Sequence, residues 1–365
     1  MTRTCTIAVL SVVSMLFAGQ VVAQTSSWSS TTDPNVPKVV APTTKGAAKP
    51  KSVKAPAHSA DPLSRFQKRP VGKPADRPEA APTAEDAAQF AFDKGEYLTA
   101  LTLAGKRAEA GDAGAHMLIA RIYDEGLGVD KDATAAAQWY GRAIELGDVE
   151  AAFALGVMLA EGRGVAKDFD AAARMFERAA RTQHALANYN LALLFLTGKG
   201  KPENPHRAAQ HLEFAAQKGI AAAQYDLATL YLQGHGVSPD AYEASRWLRR
   251  AAEQGMAEAE YDYAVLLLKG SGINADMPRA IDYLKSAASK GLAGAQNRLA
   301  HVFNEGVMVL PDPIEAAKWR FIAREAKVED PVLDIMIGRL ARADREKAEK
   351  AAQAWRDETA LELLR

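Results

Sequence analysis

Residues 231–255 read YLQGHGVSPDAYEASRWLRRAAEQG, and the pair Gly234/Gly236 just ahead of a helical stretch has the composition of a phosphate-cradling turn. Free backbone N–H groups at a helix start point at an anion, so a glycine-rich loop there can hold a phosphate. Other chemistry-bearing groups are sparse. His206 and His211 lie five apart, off the i, i+4 spacing that sets two metal ligands on one helical face. His235 sits inside the glycine turn, and His58, His116 and His184 have no evident partners. No Ser/His/Asp cluster or nucleophile signature is present, and the neighbouring carboxylates Glu109 and Asp112 fit a solvated face. The expectation is a protein that is not an enzyme and holds no cofactor and no metal.

The elements around the glycine turn decide what the turn is for. GxG pairs fall at Gly126/Gly128, Gly162/Gly164, Gly198/Gly200, Gly234/Gly236 and Gly270/Gly272, and Gly306 with Met308 closes the series, every step being 36 residues. A turn recurring six times at a fixed interval is architecture, not a phosphate loop. Two further columns never change: Ala136, Ala172, Ala208, Ala244, Ala280 and Ala316, and Ala143, Ala179, Ala215, Ala251, Ala287 and Ala323. In each copy an apolar helical stretch runs into the GxG and a second helix follows. The first glycine sits where a helix C-terminus wants a residue at positive φ, and the second helps the chain fold back.

Four residues after the second glycine comes the column Asp132, Asp168, Asn204, Asp240, Asp276, Asp312. Asp and Asn are strong N-caps, because the side-chain oxygen takes an orphan N–H of the first turn, so these carboxylates read as structural. The two alanines of each second helix, seven apart, put small side chains on one face and let neighbouring helices approach closely. Larger fillers surround them: Trp139, Phe176, Leu212, Trp247, Tyr283 and Trp319. The second helices end near Gly147, Gly219, Gly255 and Gly291, with Gln183 and Lys327 as exceptions.

The formal net charge of zero hides an asymmetry. Residues 24–82 carry ten Lys/Arg against four acids, and 83–365 carry 34 basic against 41 acidic residues. Arg3, the apolar run Ile7 to Ala18 and the small-residue site Val21-Val22-Ala23 read as a secretory leader over 1–23, cleaved after Ala23, the competing reading being an uncleaved membrane anchor. The protein is thus expected to be exported, periplasmic or secreted. Cys5, the one cysteine, lies inside that leader, so the mature chain would have no thiol for a disulfide, a zinc site or a nucleophile. Residues 24–83 hold ten of the seventeen prolines and few large apolar groups, which predicts a disordered basic linker. Its charge either attracts a membrane surface or cell wall or merely keeps a spacer extended.

The pattern A-x-x-x-L-(A/G)-x-x-Y, then GxGV, then D-x-x-x-A-x-x-W-(Y/L)-x-x-A-A-x-x-G resembles the Sel-one-like repeat, a 36-residue relative of the tetratricopeptide repeat. Residues 223–255 follow it almost throughout, and six copies span 113–327. Residues 84–112 resemble a shorter, tetratricopeptide-like first pair, and 328–365 read as a helical cap. The resemblance implies an all-α, right-handed α-solenoid of about seven helix pairs with capping helices, preceded by the disordered arm. It further implies an adaptor that holds proteins together, often in bacterial envelopes.

By analogy with tetratricopeptide arrays, the first helix of each pair lines the concave face. The residues pointing inward are then Met117 and Arg121, Phe153 and Val157, Tyr189 and Leu193, Tyr225 and Thr229, Tyr261 and Val265, and Asn297 and His301. Phe153, Tyr189, Leu193, Tyr225, Thr229, Tyr261, Asn297 and His301 are the candidate contacts for a protein or peptide ligand. The competing reading packs Phe153, Tyr189, Tyr225 and Tyr261 between repeats. A direct peptidoglycan or glycan binder is the alternative function, and no nucleic acid partner is expected.

Overall fold

The computed structural model describes residues 87–306 and 310–363. The expected leader, the basic arm, His58 and Met308 lie outside the described residues. Sixteen helices and no strand occur among the described residues. A short pair, α1 (Ala87–Asp93) and α2 (Tyr97–Glu109), precedes six longer pairs. These are α3 (Ala113–Glu125) with α4 (Ala133–Glu145), α5 (Val149–Glu161) with α6 (Phe169–Ala180), and α7 (Ala185–Thr197) with α8 (Pro205–Gln217). They continue as α9 (Ala221–Gln233) with α10 (Ala241–Glu253), α11 (Ala257–Lys269) with α12 (Met277–Ser289), and α13 (Ala293–Glu305) with α14 (Pro313–Glu325). Two more helices, α15 (Pro331–Arg339) and α16 (Arg342–Leu363), close the chain. Each helix packs on the next in sequence from α1 to α14, which is the packing of an α-solenoid. At the end α16 lies on α14, and α15 touches both α13 and α14.

Repeated chemistry builds each unit. Asp132, Asp168, Asn204, Asp240, Asp276 and Asp312 all accept from first-turn N–H groups of their second helices at 2.8–3.1 Å. Each of the six also donates its own N–H to a last-turn carbonyl of the preceding first helix, as Asp240 does to Tyr231 at 3.0 Å and Asp276 to Leu267 at 3.1 Å. One residue therefore starts the second helix and closes the turn from the first. Gln183 (φ 64°) and Lys327 (φ 62°), the two departures from the glycine column ending the second helices, keep the left-handed conformation of the glycines they replace. Among the described residues they are the only non-glycines at positive φ.

The core is a stack of alanines with fillers between them. Ala136, Ala172, Ala208, Ala244, Ala280 and Ala316 have no exposed surface, nor do Ala143, Ala179, Ala215, Ala251, Ala287 and Ala323. Phe176, Leu212, Trp247 and Trp319 are buried among them, whereas Trp139 and Tyr283 are half-buried. Gly156 makes room for one of these fillers, since a Cβ there would meet the Phe176 ring at 2.7 Å. Beneath runs a polar column that the repeat pattern does not announce: Asn188, Gln224, Glu260 and Gln296 are buried one repeat apart. Gln224 donates to the Ala216 carbonyl at 3.0 Å and accepts from Gln254 at 2.8 Å, and one repeat on Glu260 accepts from Lys290 at 2.6 Å and Ser286 at 2.8 Å. An amide pair and an ion pair thus occupy equivalent places between successive repeats.

Candidate partner-binding face

At the Gly234/Gly236 turn, the backbone donors that a bound anion would need at the helix start are already taken. Gly234 and His235 both donate to the Leu230 carbonyl, at 2.8 and 3.1 Å, and the Asp240 carboxylate occupies the first-turn N–H groups of α10. A carboxylate in that place excludes a phosphate by charge as well as by space.

The first helices α5, α7, α9 and α11 carry the aromatic row, and each ring leans on the following repeat. Phe153 stacks on the His184 ring at 4.6 Å, and His184 in turn caps α7 through Nδ1, which accepts from the Ala187 N–H at 3.0 Å. The Tyr189 hydroxyl bonds the Asp226 carboxylate, the Tyr225 hydroxyl donates to Asp262 Oδ2 at 2.9 Å, and the Tyr261 ring lies over Gly294. Packing between repeats therefore occupies all four rings. Tyr189 and Leu193 are 4% and 3% exposed and belong to the core, which corrects their placement among groups facing a ligand. Phe153, Tyr225, Thr229 and Tyr261 are half-buried, and the Thr229 hydroxyl is turned back onto the Tyr225 carbonyl at 3.1 Å.

Asn297 and His301 are likewise spoken for. Both reach Asp330 Oδ2, at 2.8 and 2.6 Å, while Asp330 Oδ1 caps α15 by accepting from the Leu333 N–H at 3.1 Å. Arg320, 1% exposed, donates to Asn297 Oδ1 at 3.3 Å, to the Val328 carbonyl at 2.7 Å and to both oxygens of Asp334 at 2.8 Å. The end of the row is a polar junction fastening the closing helices. Asp334 is held below the usual carboxylate range by the Arg320 guanidinium.

Residues outside the expected set remain open on α9 and α11. Leu232 is 43% exposed, Glu258 is exposed, and Asp226 and Asp262 are half-buried. Burial pushes the Asp226 carboxyl up to about 6, against which the Tyr189 hydroxyl pulls it down. Burial raises Asp262 too, opposed by the Tyr225 hydroxyl and reinforced by Glu258. Desolvation and the charges of Asp262, Asp226 and Glu258 all raise the Tyr225 phenol, so these groups converge on one hydroxyl.

His211, His116 and His206 are engaged singly with other partners. His211 Nδ1 faces Asn188 Oδ1 at 2.9 Å and its ring stacks on Phe195, His116 Nδ1 faces the Asp112 carbonyl at 2.7 Å, and His206 Nδ1 faces the Gly236 carbonyl at 3.2 Å. No group of three or more His, Cys, Asp or Glu is placed to hold a metal among the described residues. Asp112, expected on a solvated face, caps α3 and pairs with Arg107.

Sel1 repeats match residues 113–148, 149–182, 185–220, 221–256, 257–292 and 293–319. The chain belongs to the Sel1-repeat family. It is similar to a crystal structure of a Sel1 repeat protein from Oxalobacter formigenes, at 30% identity and TM-score 0.58, covering 68% of this chain and 99% of that one. It shares its fold with a protective antigen of uropathogenic Escherichia coli strains displaying an SLR fold, at 24% identity and TM-score 0.52 over 76% of this chain and 69% of that one. No curated protein matches it. Sel1-repeat proteins are in general non-catalytic scaffolds for protein interaction. The open groups of this Sel1 array sit in columns beside the expected ones: Asp226 and Asp262 each follow the aromatic by one residue, and Leu232 follows Tyr225 by seven. The signal for the two acids was a carboxylate repeated one repeat apart in a column that elsewhere reads Leu118, Ala154, Asn190 and Arg298.

Proposed function

We propose that this Sel1-repeat protein is a non-enzymatic adaptor of the bacterial envelope, exported by way of the leader at 1–23, which binds a partner protein or peptide along the first-helix face around α9 and α11. The observation that carries this reading is Leu232, a large apolar side chain 43% exposed on a first helix, at i+7 and i+3 from the half-buried Tyr225 and Thr229 and on the same helix as the half-buried Asp226. An apolar spot rimmed by polar groups suits association with a protein segment. The tyrosine rings are engaged between repeats, which leaves them poorly placed to stack on a sugar and favours protein over glycan.

The test compares immobilised mature protein with its Leu232→Arg variant in capture from envelope extract and in retention of purified cell wall. A discrete protein held by the wild type and lost by the variant supports the adaptor. Wall retained without protein, and equally by both, overturns it in favour of a glycan binder.

A further inference from the structure

We propose, resting on the reading that this first-helix face binds a partner, that its occupant is an extended peptide segment bearing Lys or Arg together with apolar side chains. Its cations pair with Asp226 and Asp262, and an apolar side chain covers Leu232.

The charge of the face and its lack of compensation select that chemistry. Asp226 on α9 and Asp262 on α11 occupy the same column one repeat apart, each bonded by a neutral tyrosine hydroxyl from the repeat before. The groups acting on them are the Tyr189 hydroxyl on Asp226, and the Tyr225 hydroxyl and Glu258 on Asp262; no described Lys, Arg or His is among them. Several carboxylates elsewhere in the array have cations: Asp124 pairs with Arg163, Glu177 with Lys201 at 2.6 Å, Glu260 with Lys290 at 2.6 Å and Asp334 with Arg320 at 2.8 Å. On α9 and α11 the array instead keeps half-buried negative charge, with an exposed leucine on the same α9. A partly desolvated carboxylate without a counter-charge is raised in energy, and a cation brought by a partner removes that penalty as it adds attraction. An anionic or purely neutral segment would meet the row with repulsion or leave the cost in place. Because Asp226 takes up a proton near pH 6, its pairing with a cation is weakened below that pH.

The test uses the full chain and three fluorescent probes, four-fold repeats of Lys-Leu-Ala, Glu-Leu-Ala and Gln-Leu-Ala, read by anisotropy. The lysine probe is expected to bind tightest. The double variant Asp226→Asn/Asp262→Asn, which keeps acceptors for both tyrosines, should weaken it by about tenfold or more, as should Leu232→Ser. Glu253→Gln, an exposed acid on α10, should change it by less than about twofold. Lowering the pH from about 7.5 to about 5.5 should weaken binding to the wild type and leave the double Asn variant less affected. Tighter binding of the glutamate or glutamine probe, lost in Leu232→Ser, would overturn the cationic partner while leaving the binding face intact. Lysine binding untouched by the double variant, or no binding by any probe, would overturn the inference. If the capture experiment above also shows no difference for Leu232→Arg, the binding face itself falls with it.

Discussion

Gly236 lies with its Cα against the backbone of Pro205 in the preceding repeat, so close that a Cβ would stand 2.3 Å from the Pro205 carbonyl carbon and oxygen. Gly164 stands in the same way to Ala133, Gly200 to Phe169 and Gly272 to Ala241, at 2.1–2.3 Å. The second glycine of each turn is therefore a contact between repeats, where one loop rests on the start of the earlier second helix. Gly236→Ala should cost more than about 2 kcal/mol, combining left-handed strain with a backbone clash. Gly219→Ala, at φ 92° with open space around it, should cost about 1 kcal/mol. Urea unfolding of the two variants measures the difference, and equal losses would show that the loop yields.

Gln183 and Lys327 hold positive φ where other copies have glycine. Gln183→Gly and Lys327→Gly should each stabilise the array by a few tenths to about 1 kcal/mol, relief of strain outweighing the added freedom of the unfolded chain. Thermal unfolding of each variant would show the rise, and a fall in either would mean that the side chain contributes more than its strain costs.

Ala215 is fully buried on α8, which packs between the first helices α7 and α9. Ala215→Leu should overpack this seam and cost ~1–3 kcal/mol. An unchanged melting temperature would show that the seam can open.

Asp226 and Asp334 should give opposite pH dependence. The folded Asp226 carboxyl is raised from 3.8 to about 6, so the folded state favours the proton, and the stability this brings is full below about pH 4 and lost as pH rises through about 6. Asp226→Asn should exceed the wild type in stability by about 1–2 kcal/mol at neutral pH, with the gap closing in acid. Asp334 is lowered by Arg320, so its contribution is present above the ordinary carboxylate range and is lost as pH falls through its folded value. Asp334→Asn should therefore be less stable than the wild type at neutral pH and converge with it in acid. Denaturant midpoints across that range test both signs.

The architecture was legible because its causes are local and repeated. The cap column, the glycines and the small alanines each satisfy a requirement of one turn or one helix face, and the 36-residue interval multiplies the signal. The face was less legible, because pointing direction depends on neighbours that differ from copy to copy. Tyr189 and Tyr225 share a column, yet Tyr189 is buried and Tyr225 half-buried. Asn297 and His301 share theirs with residues that make no hydrogen bond to a helix cap, and the position of Asp330 after the last repeat diverts them. The buried polar column from Asn188 to Gln296 was hidden for a different reason: Asn188, Gln224 and Glu260 meet side chains 23 to 30 residues away in sequence, and Gln296 a backbone carbonyl eight residues back.

The binding face is tested most directly by site-specific photocrosslinking in producing cells, with the reactive side chain placed at Leu232 on α9 or at Tyr242 on α10, which are 43% and 58% exposed. Discrete protein adducts from Leu232 and none from Tyr242 are the expected result. Adducts from Tyr242 alone, or none from either position, would contradict a partner held on the first-helix face.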